Sequence, residues 1–222
     1  MVTSKRAERG GTQMLKDEAK NLEGVEIGAL DASETEEALG GVVRGMRDNP
    51  VNVAAFGEDP QVRARRMRGL FGGAFAMLGL REHMLAARTA SGRIVGVVGA
   101  MPPGGCRPSG AQQLRLLPRL LSTGPRAAGR AVVWMGAWAK RDPEERHWHL
   151  GPVAVDAHLQ GMGIGTKLMR VFSARMDAAG EDAYLETDKP ENVRFYERFG
   201  FEIVGEQEVL GVPNWFMTRR AK

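Results

Sequence analysis

The sequence predicts an α/β fold in which short strands and helices alternate along the chain. Two strand-to-helix units carry this prediction. In the first, residues 151–165, an apolar strand leads through a glycine-rich turn into a helix whose apolar positions recur every four residues. In the second, residues 183–200, a short strand leads into a helix that Pro190 opens and Gly200 closes. The remaining segments add strands and helices to these two units.

Composition limits the classes of protein to which the chain can belong. With 222 residues, 43% of them hydrophobic, we expect one domain over residues 23–222 and no clear second core. The net charge of +4 suits an anionic ligand but is far smaller than the positive charge typical of nucleic-acid-binding domains, so we expect no nucleic-acid partner. A single cysteine excludes an internal disulfide, and no long apolar run favours membrane insertion. We expect a cytoplasmic protein, and the oligomeric state stays unknown.

The N-terminal part begins with residues 1–22, which we expect to be a flexible tail because they include few large apolar side chains. After a first strand, Ser33 with Glu36 three residues later fits a capping box for a helix that ends near Arg47. The next helix carries clustered arginines at residues 63–68. Such a cluster is most often a solvated face, and binding of a polyanion along it is the alternative.

Periodicity and turn residues predict the other elements. We expect strands at residues 25–30, 83–89, 93–101, 147–155, 202–210 and 214–219, and helices at 59–80, 112–121 and 125–140. Pro152 lies inside one of these strands and cannot donate a ladder hydrogen bond. We therefore expect a bulge at Pro152.

The turn from Gln160 to Gly165 suits a phosphate. A helix start leaves N–H groups without partners and carries partial positive charge, and glycines let an anion approach them without meeting a Cβ. The spacing fits neither a Walker loop nor the dinucleotide fingerprint. A glycine-rich turn that serves packing alone is the alternative.

Two motifs carry a resemblance to a known family. Gln160, Gly163 and Gly165 meet the pattern Q/R-x-x-G-x-G/A after V-x-V on a strand, which resembles the acyl-CoA pyrophosphate loop of the GNAT superfamily of N-acyltransferases. Asn192 and Tyr196 begin N-x-x-x-Y-x-x-x-G-F, which resembles the second signature of that superfamily. The segments 185–187, 195–201 and 215–219 also resemble puromycin N-acetyltransferases.

The resemblance implies a fold. A GNAT fold has a mixed central sheet of about seven strands, splayed between the fourth and fifth strands, with helices on both faces. The helical stretches between residues 112 and 140 are then an insertion before the fourth strand. Such an insertion either forms one wall of an acceptor pocket or serves as structural padding.

The resemblance also implies a reaction, the transfer of an acetyl group from acetyl-CoA as cosubstrate to a primary amine of a small molecule. Tyr196 is then the acid that protonates the CoA thiolate. As the general base, which takes a proton from the amine, we choose Glu186, with His149 as second choice. The residues implied to bind the cosubstrate are Val153, Ala154, Val155, Gln160, Gly161, Met162, Gly163, Ile164, Gly165, Thr166 and Asn192. A non-catalytic acyl-CoA-binding module and a protein or peptide N-acetyltransferase are the alternatives.

The histidines and tryptophans give weaker signals. His147 and His149 share one face of a strand and could seed a metal pair, but no further Cys or His is placed to complete it, so we expect no metal site. His158 lies in a turn and is expected at the surface. The four tryptophans are expected in the core or in a pocket wall.

Overall fold

The structure, a computed structural model, describes residues 24–77, 80–105 and 108–222, so the predicted tail at residues 1–22 lies outside the described residues. The strands are β1 (Glu26–Ala29), β2 (Leu85–Arg88), β3 (Ile94–Met101), β4 (Trp148–Val155), β5 (Ala183–Thr187), β6 (Glu202–Val209) and β7 (Val212–Arg219). The helices are α1 (Thr35–Met46), α2 (Pro50–Phe56), α3 (Pro60–Met77), α4 (Gly110–Leu121), α5 (Pro125–Ala139), α6 (Ile164–Ala179) and α7 (Pro190–Glu197).

The strands form one mixed sheet in the order β1-β2-β3-β4-β5-β7-β6. All neighbouring strands are antiparallel except β4 and β5, which run parallel and pair only at Trp148 with Ala183 and at His149 with Tyr184. Beyond His149, β4 pairs with β3 alone in the described sheet. The sheet is therefore splayed between its fourth and fifth strands, as predicted.

The bulge predicted at Pro152 is confirmed. Val98 pairs with Val153 and Ala100 pairs with Leu150, so two residues of β4, Gly151 and Pro152, face a single residue of β3. A bulge of this kind bends its strand and increases the local twist. The bulge lies just beyond His149, the last residue of β4 that pairs with β5.

Helices cover both faces of the sheet, as predicted. Successive side chains of a strand point to opposite faces, so Val97 joins the core beneath α1, α3 and α5, whereas Val98 joins the core beneath α6 and α7. The first core includes Phe56, and the second includes Phe172. No helix in the described ranges combines the length and the apolar composition that a bilayer crossing requires.

The cap of the first helix differs from the prediction. Asp31, and not Ser33, forms the capping box, because its carboxylate accepts from the N–H of Ser33 at 2.8 Å and its own N–H donates to Glu34 at 2.7 Å. A short 3-10 turn then leads into α1. The prediction was wrong because Asp and Ser cap helices about equally well, so spacing alone could not choose between them.

The arginine cluster on α3 is not simply a solvated face. Arg63 is 4% exposed, and its guanidinium holds the chain on either side of α2. It donates to the carbonyl groups of Arg47, Gly57 and Glu58 and to the carboxylate of Asp48. Because carbonyl acceptors carry no sequence signature, this role could not be separated from that of an exposed arginine.

Candidate active site

A cleft of about 480 Å³ opens where β4 and β5 diverge. The outer half of β4, the start of α6, one side of α7 and the C-terminal end of α1 border it. Every residue predicted to bind the cosubstrate lines this cleft except Met162, whose side chain is exposed and lies outside the lining. The structure therefore brings the two sequence motifs to one place.

The edge of β4 presents main-chain donors to the cleft. The N–H of Asp156 donates to the carbonyl of Val95 on β3 at 3.0 Å. Because successive N–H groups of a strand point to alternate edges, the N–H groups of Val153 and Val155 point away from β3. They face the space that β5 leaves free.

The turn before α6 is open to a ligand. Gly161 and Gly163 have φ of +82° and +85°, and a Cβ built on either would meet no atom within 4 Å. The first bond of the helix runs from the N–H of Lys167 to the carbonyl of Gly163. The N–H groups of residues 164–166 therefore precede the helical ladder, at the positive end of the helix dipole.

Two predicted residues of this turn have structural contacts. The side-chain amide of Gln160 donates to the carbonyls of Gly45 at 3.1 Å and Val155 at 3.2 Å, so it joins the turn to α1 and β4. A Cβ at Gly165 would lie 3.4 Å from the ring of Phe195, so Gly165 lets α6 pack closely on α7. Gly45 itself was not predicted, yet a Cβ there would lie 2.5 Å from the carbonyl oxygen of Val155.

Two basic side chains, also not predicted, line the cleft. Lys189 precedes α7, and Arg198 follows it. The guanidinium of Arg198 lies over the ring of Phe195 at 5.0 Å, a cation–π contact that holds it in place. The cleft thus combines a helix start with two cationic side chains, which suits an anion carrying several charges.

The helix α7 places Asn192 and Tyr196 in the cleft, as predicted from their spacing. The amide of Asn192 donates to the hydroxyl of Thr187 at 3.1 Å and so fixes α7 to the end of β5. Burial, with a smaller effect from the charge of Asp188, raises the pKa of the Tyr196 phenol above its usual value. The phenol therefore stays protonated at neutral pH and can act as a proton donor.

An inner cavity of about 240 Å³ adjoins the cleft, and Tyr196 lines both. Its apolar wall consists largely of aromatic side chains from α3 and α5: Phe71, Phe75, Trp134 and Trp138. The insertion before β4 thus supplies a pocket wall through α5, whereas α4 supplies none of the lining residues. The helix α5 therefore contributes to a cavity and is not structural padding alone.

Two acidic residues at the end of β5, Glu186 and Asp188, also line the inner cavity. Glu186 accepts a hydrogen bond from Nε2 of His149 at 2.8 Å, so the two candidate bases are in direct contact. Asp188 was not predicted. It accepts from the N–H of Val51 at 2.7 Å, and burial raises the pKa of its carboxyl group.

The histidine pair meets a third side chain that the sequence did not indicate. Oδ1 of Asp142 lies 3.1 Å from Nδ1 of His149 and 3.3 Å from Nε2 of His147. Burial alone would raise the pKa of Asp142, but the contacts with both imidazoles hold that pKa well below its usual range. His158 is exposed, as predicted.

A family model described as the Acetyltransferase (GNAT) family matches residues 76–201, which is more than half of the chain. The chain belongs to the GNAT acetyltransferase family. Acetyl-CoA is the cosubstrate of this family. The two motifs that line the cleft are the segments through which the sequence resembles it.

Solved structures confirm the GNAT fold. An acetyltransferase from Corynebacterium glutamicum, described as histone acetyltransferase HPA2 and related acetyltransferase, is 22% identical with a TM-score of 0.69, covering 90% of this chain and 97% of that chain. A polyamine N-acetyltransferase from Drosophila melanogaster is 15% identical with a TM-score of 0.61, covering 88% and 99%. Arylalkylamine N-acetyltransferase 2 from Aedes aegypti is 12% identical with a TM-score of 0.61, covering 89% and 99%. At these identities the likeness shows the fold.

This GNAT protein has two tyrosines, Tyr184 and Tyr196, and burial raises the pKa of both phenols. We expect the folded chain to form no tyrosinate near pH 10, where the unfolded chain titrates. Because the folded state keeps protons that the unfolded state releases, this part of the stability is complete below about pH 10 and falls as pH rises further. Tyrosinate absorbance during a pH titration, with and without denaturant, measures both states. A tyrosinate signal near pH 10 from the folded chain would contradict the assignment.

Proposed function

We propose that this protein transfers the acetyl group of acetyl-CoA to the primary amine of a small molecule. The observation that carries the proposal is the continuity of the cleft and the inner cavity, with Tyr196 on the boundary between them. A donor in one and an acceptor in the other would meet beside a protonated phenol. Such juxtaposition supplies most of what amide formation needs from a catalyst.

The cleft fits the cosubstrate in two places. Main-chain N–H groups at Gly161–Thr166, with Lys189 and Arg198 nearby, suit the phosphates of coenzyme A. The pantetheine arm can lie along β4 and pair with the N–H groups of Val153 and Val155, much as an added strand would. Apart from Lys189 and Arg198, the groups that would hold the cosubstrate belong to the main chain, so the site depends on backbone geometry more than on side-chain identity.

The inner cavity fits an amine with an apolar body. Aromatic walls favour an aryl or alkyl group, and the carboxylates of Glu186 and Asp188 favour a cationic nitrogen. Two of the similar structures, a polyamine and an arylalkylamine N-acetyltransferase, support small amines as a class. The resemblance of segments 185–187, 195–201 and 215–219 to puromycin N-acetyltransferases adds aminonucleosides as a class to test. A cytoplasmic location stays a prediction.

The reaction follows from these positions. Glu186, hydrogen-bonded to His149, takes a proton from the bound ammonium group and leaves a neutral amine. The amine nitrogen attacks the thioester carbonyl, whose oxygen accepts from main-chain N–H groups of β4 as it becomes negative. The C–S bond then breaks, and Tyr196 gives its proton to the thiolate. The nitrogen, which still carries one proton too many after its attack, gives that proton to the tyrosinate and restores the phenol. The neutral amide and the CoA thiol leave, and Glu186 releases its proton to solvent.

The first experiment measures thiol release from acetyl-CoA with arylalkylamines, polyamines, aminonucleosides and peptides as acceptors. We expect turnover with a small amine that has an apolar body, at least about tenfold above peptides in kcat/KM, because the aromatic walls leave little room for a polypeptide. Turnover with peptides alone would favour the protein N-acetyltransferase alternative. CoA binding without any thiol release would favour the non-catalytic module.

The variant Tyr196→Phe tests the proposed acid. The ring of Tyr196 contacts those of Phe195 and Phe201 at 5.3 and 5.9 Å, and phenylalanine retains these contacts. We expect kcat to fall about 100-fold because the thiolate loses its proton donor. The dissociation constant of CoA and the unfolding midpoint serve as controls and should change little. An unchanged kcat would exclude Tyr196 as the acid.

The variant Gly163→Ala tests the phosphate turn, with Gly180→Ala as a matched control. Both glycines have positive φ, both flank α6, and neither has an atom within 4 Å of a built Cβ. Each substitution should lower the free energy of unfolding by about 1–2 kcal/mol through backbone strain. Only Gly163→Ala should also weaken CoA binding, by about tenfold, because it shifts the N–H groups at the helix start. Equal CoA affinities in the two variants would locate the phosphates elsewhere.

A further inference from the structure

The side chains of Asp142, His147 and His149 meet at the N-terminal end of β4. They meet at Nδ1 of His149, whereas Glu186 contacts Nε2 on the other side of the same ring. The ligating atoms of Asp142, His147 and His149 all lie within 4.8 Å of one another. His149 lies on β4 and His147 immediately precedes this strand, and both rings pack against the ring of Tyr184. Asp142 reaches the pair from the loop that precedes β4.

The outer nitrogens of both imidazoles are held by acceptors. Nδ1 of His147 lies 2.7 Å from the carbonyl oxygen of Glu145, and Nε2 of His149 lies 2.8 Å from the carboxylate of Glu186. Facing a carbonyl oxygen and an ionised carboxylate, both outer nitrogens carry hydrogen. The inner nitrogen of each imidazole is hydrogen-bonded to Oδ1 of Asp142, so a proton lies between each histidine and this carboxylate. A metal ion that binds the same three atoms displaces these protons.

The same arrangement is found around metal-binding histidines. A ligand histidine nearly always donates its second N–H to a backbone carbonyl or a carboxylate, and here one histidine does each. Tetrahedral zinc, with bonds of about 2.0–2.2 Å, places its ligand atoms about 3.3 Å apart. The hydrogen bonds of Asp142 to the two histidines, 3.3 and 3.1 Å, have about this length, and the two histidine nitrogens lie within 4.8 Å of each other.

The surroundings hold the three side chains in place. Asp142, His147 and His149 have side chains that are 7%, 9% and 17% exposed. The ring of Tyr184 on β5 packs against both imidazoles, at 5.5 and 5.3 Å. A groove on the surface, lined by Asp142 and His147, gives an ion a route to the site.

We propose that Asp142, His147 and His149 bind a divalent transition-metal ion, with Zn²⁺ as the best match. Two imidazole nitrogens and one carboxylate suit zinc, whereas magnesium and calcium prefer oxygen ligands throughout. The ion keeps the Nε2–H of His149 directed at Glu186. His149 therefore acts as a positioning residue for Glu186, the proposed base, which lines the inner cavity. That link to Glu186 rests on the proposed function, but the metal site itself does not.

The test uses the 222-residue chain, freed of affinity tag and of metal by chelation, and titrates it with Zn²⁺ by calorimetry. We expect one equivalent to bind per chain. His147→Ala and Asp142→Asn should each weaken Zn²⁺ binding by more than about tenfold. His158→Ala removes an exposed histidine and is the matched control, which should bind Zn²⁺ as the parent does. Loss of binding in His158→Ala, or retention in both other variants, would overturn the proposal.

Two measurements on the unaltered chain keep the test decisive if a variant fails to fold. Zn²⁺ should raise the unfolding temperature, since it binds the folded state only where the three ligands meet. Co²⁺ should give the visible absorption of a four- or five-coordinate ion, and Zn²⁺ should displace it. A chain that shows neither effect has no such site. Because these readouts do not depend on acetyl transfer, a failure here is distinguishable from a failure of the proposed function.

Discussion

The early end of the pairing between β4 and β5 is the constraint on which the rest of the site depends. The two parallel strands share two residue pairs, and the bulge at Gly151 and Pro152 lies just beyond them. Main-chain N–H groups on the freed edge need a partner, since an unpaired buried donor is costly. Both strands lead into helices at this same end, so the helix starts border the gap as well.

The gap stays open because α1 holds its far side. Gly45 lets the helix touch the carbonyl of Val155, and Gln160 spans the two with its amide. Arg44 adds a bidentate ion pair with Asp156, both contacts at 3.0 Å. Burial would raise the pKa of Asp156, but Arg44 keeps the pKa below its usual value, so the carboxylate stays charged. These contacts fix the end of β4 from outside the sheet.

Sequence patterns predicted those features that depend on residues close together in the chain. The strands and long helices lie within a few residues of their predicted bounds, and the bulge followed from one proline. The glycine-rich turn and Tyr196 were found because their spacing is fixed within one segment. Gly45 and Asp188 were not found, because each has its contact with a distant segment of the chain. Asp142 lies only five and seven residues before the two histidines, but the irregular loop between them has no periodicity from which the contact could be predicted. The capping residue at Asp31 was missed for a different reason, the near equivalence of neighbouring polar residues as caps.

The two halves of the site come from separate stretches of the chain. The cleft is built mainly by residues 153–198, whereas the aromatic wall of the inner cavity comes from α3 and α5. Substitutions at Phe71, Phe75, Trp134 or Trp138 can therefore reshape the wall without touching the turn before α6. On the proposed function, the residues that select the acceptor and those that hold the donor therefore belong to different segments, and either set can change in sequence while the other is kept.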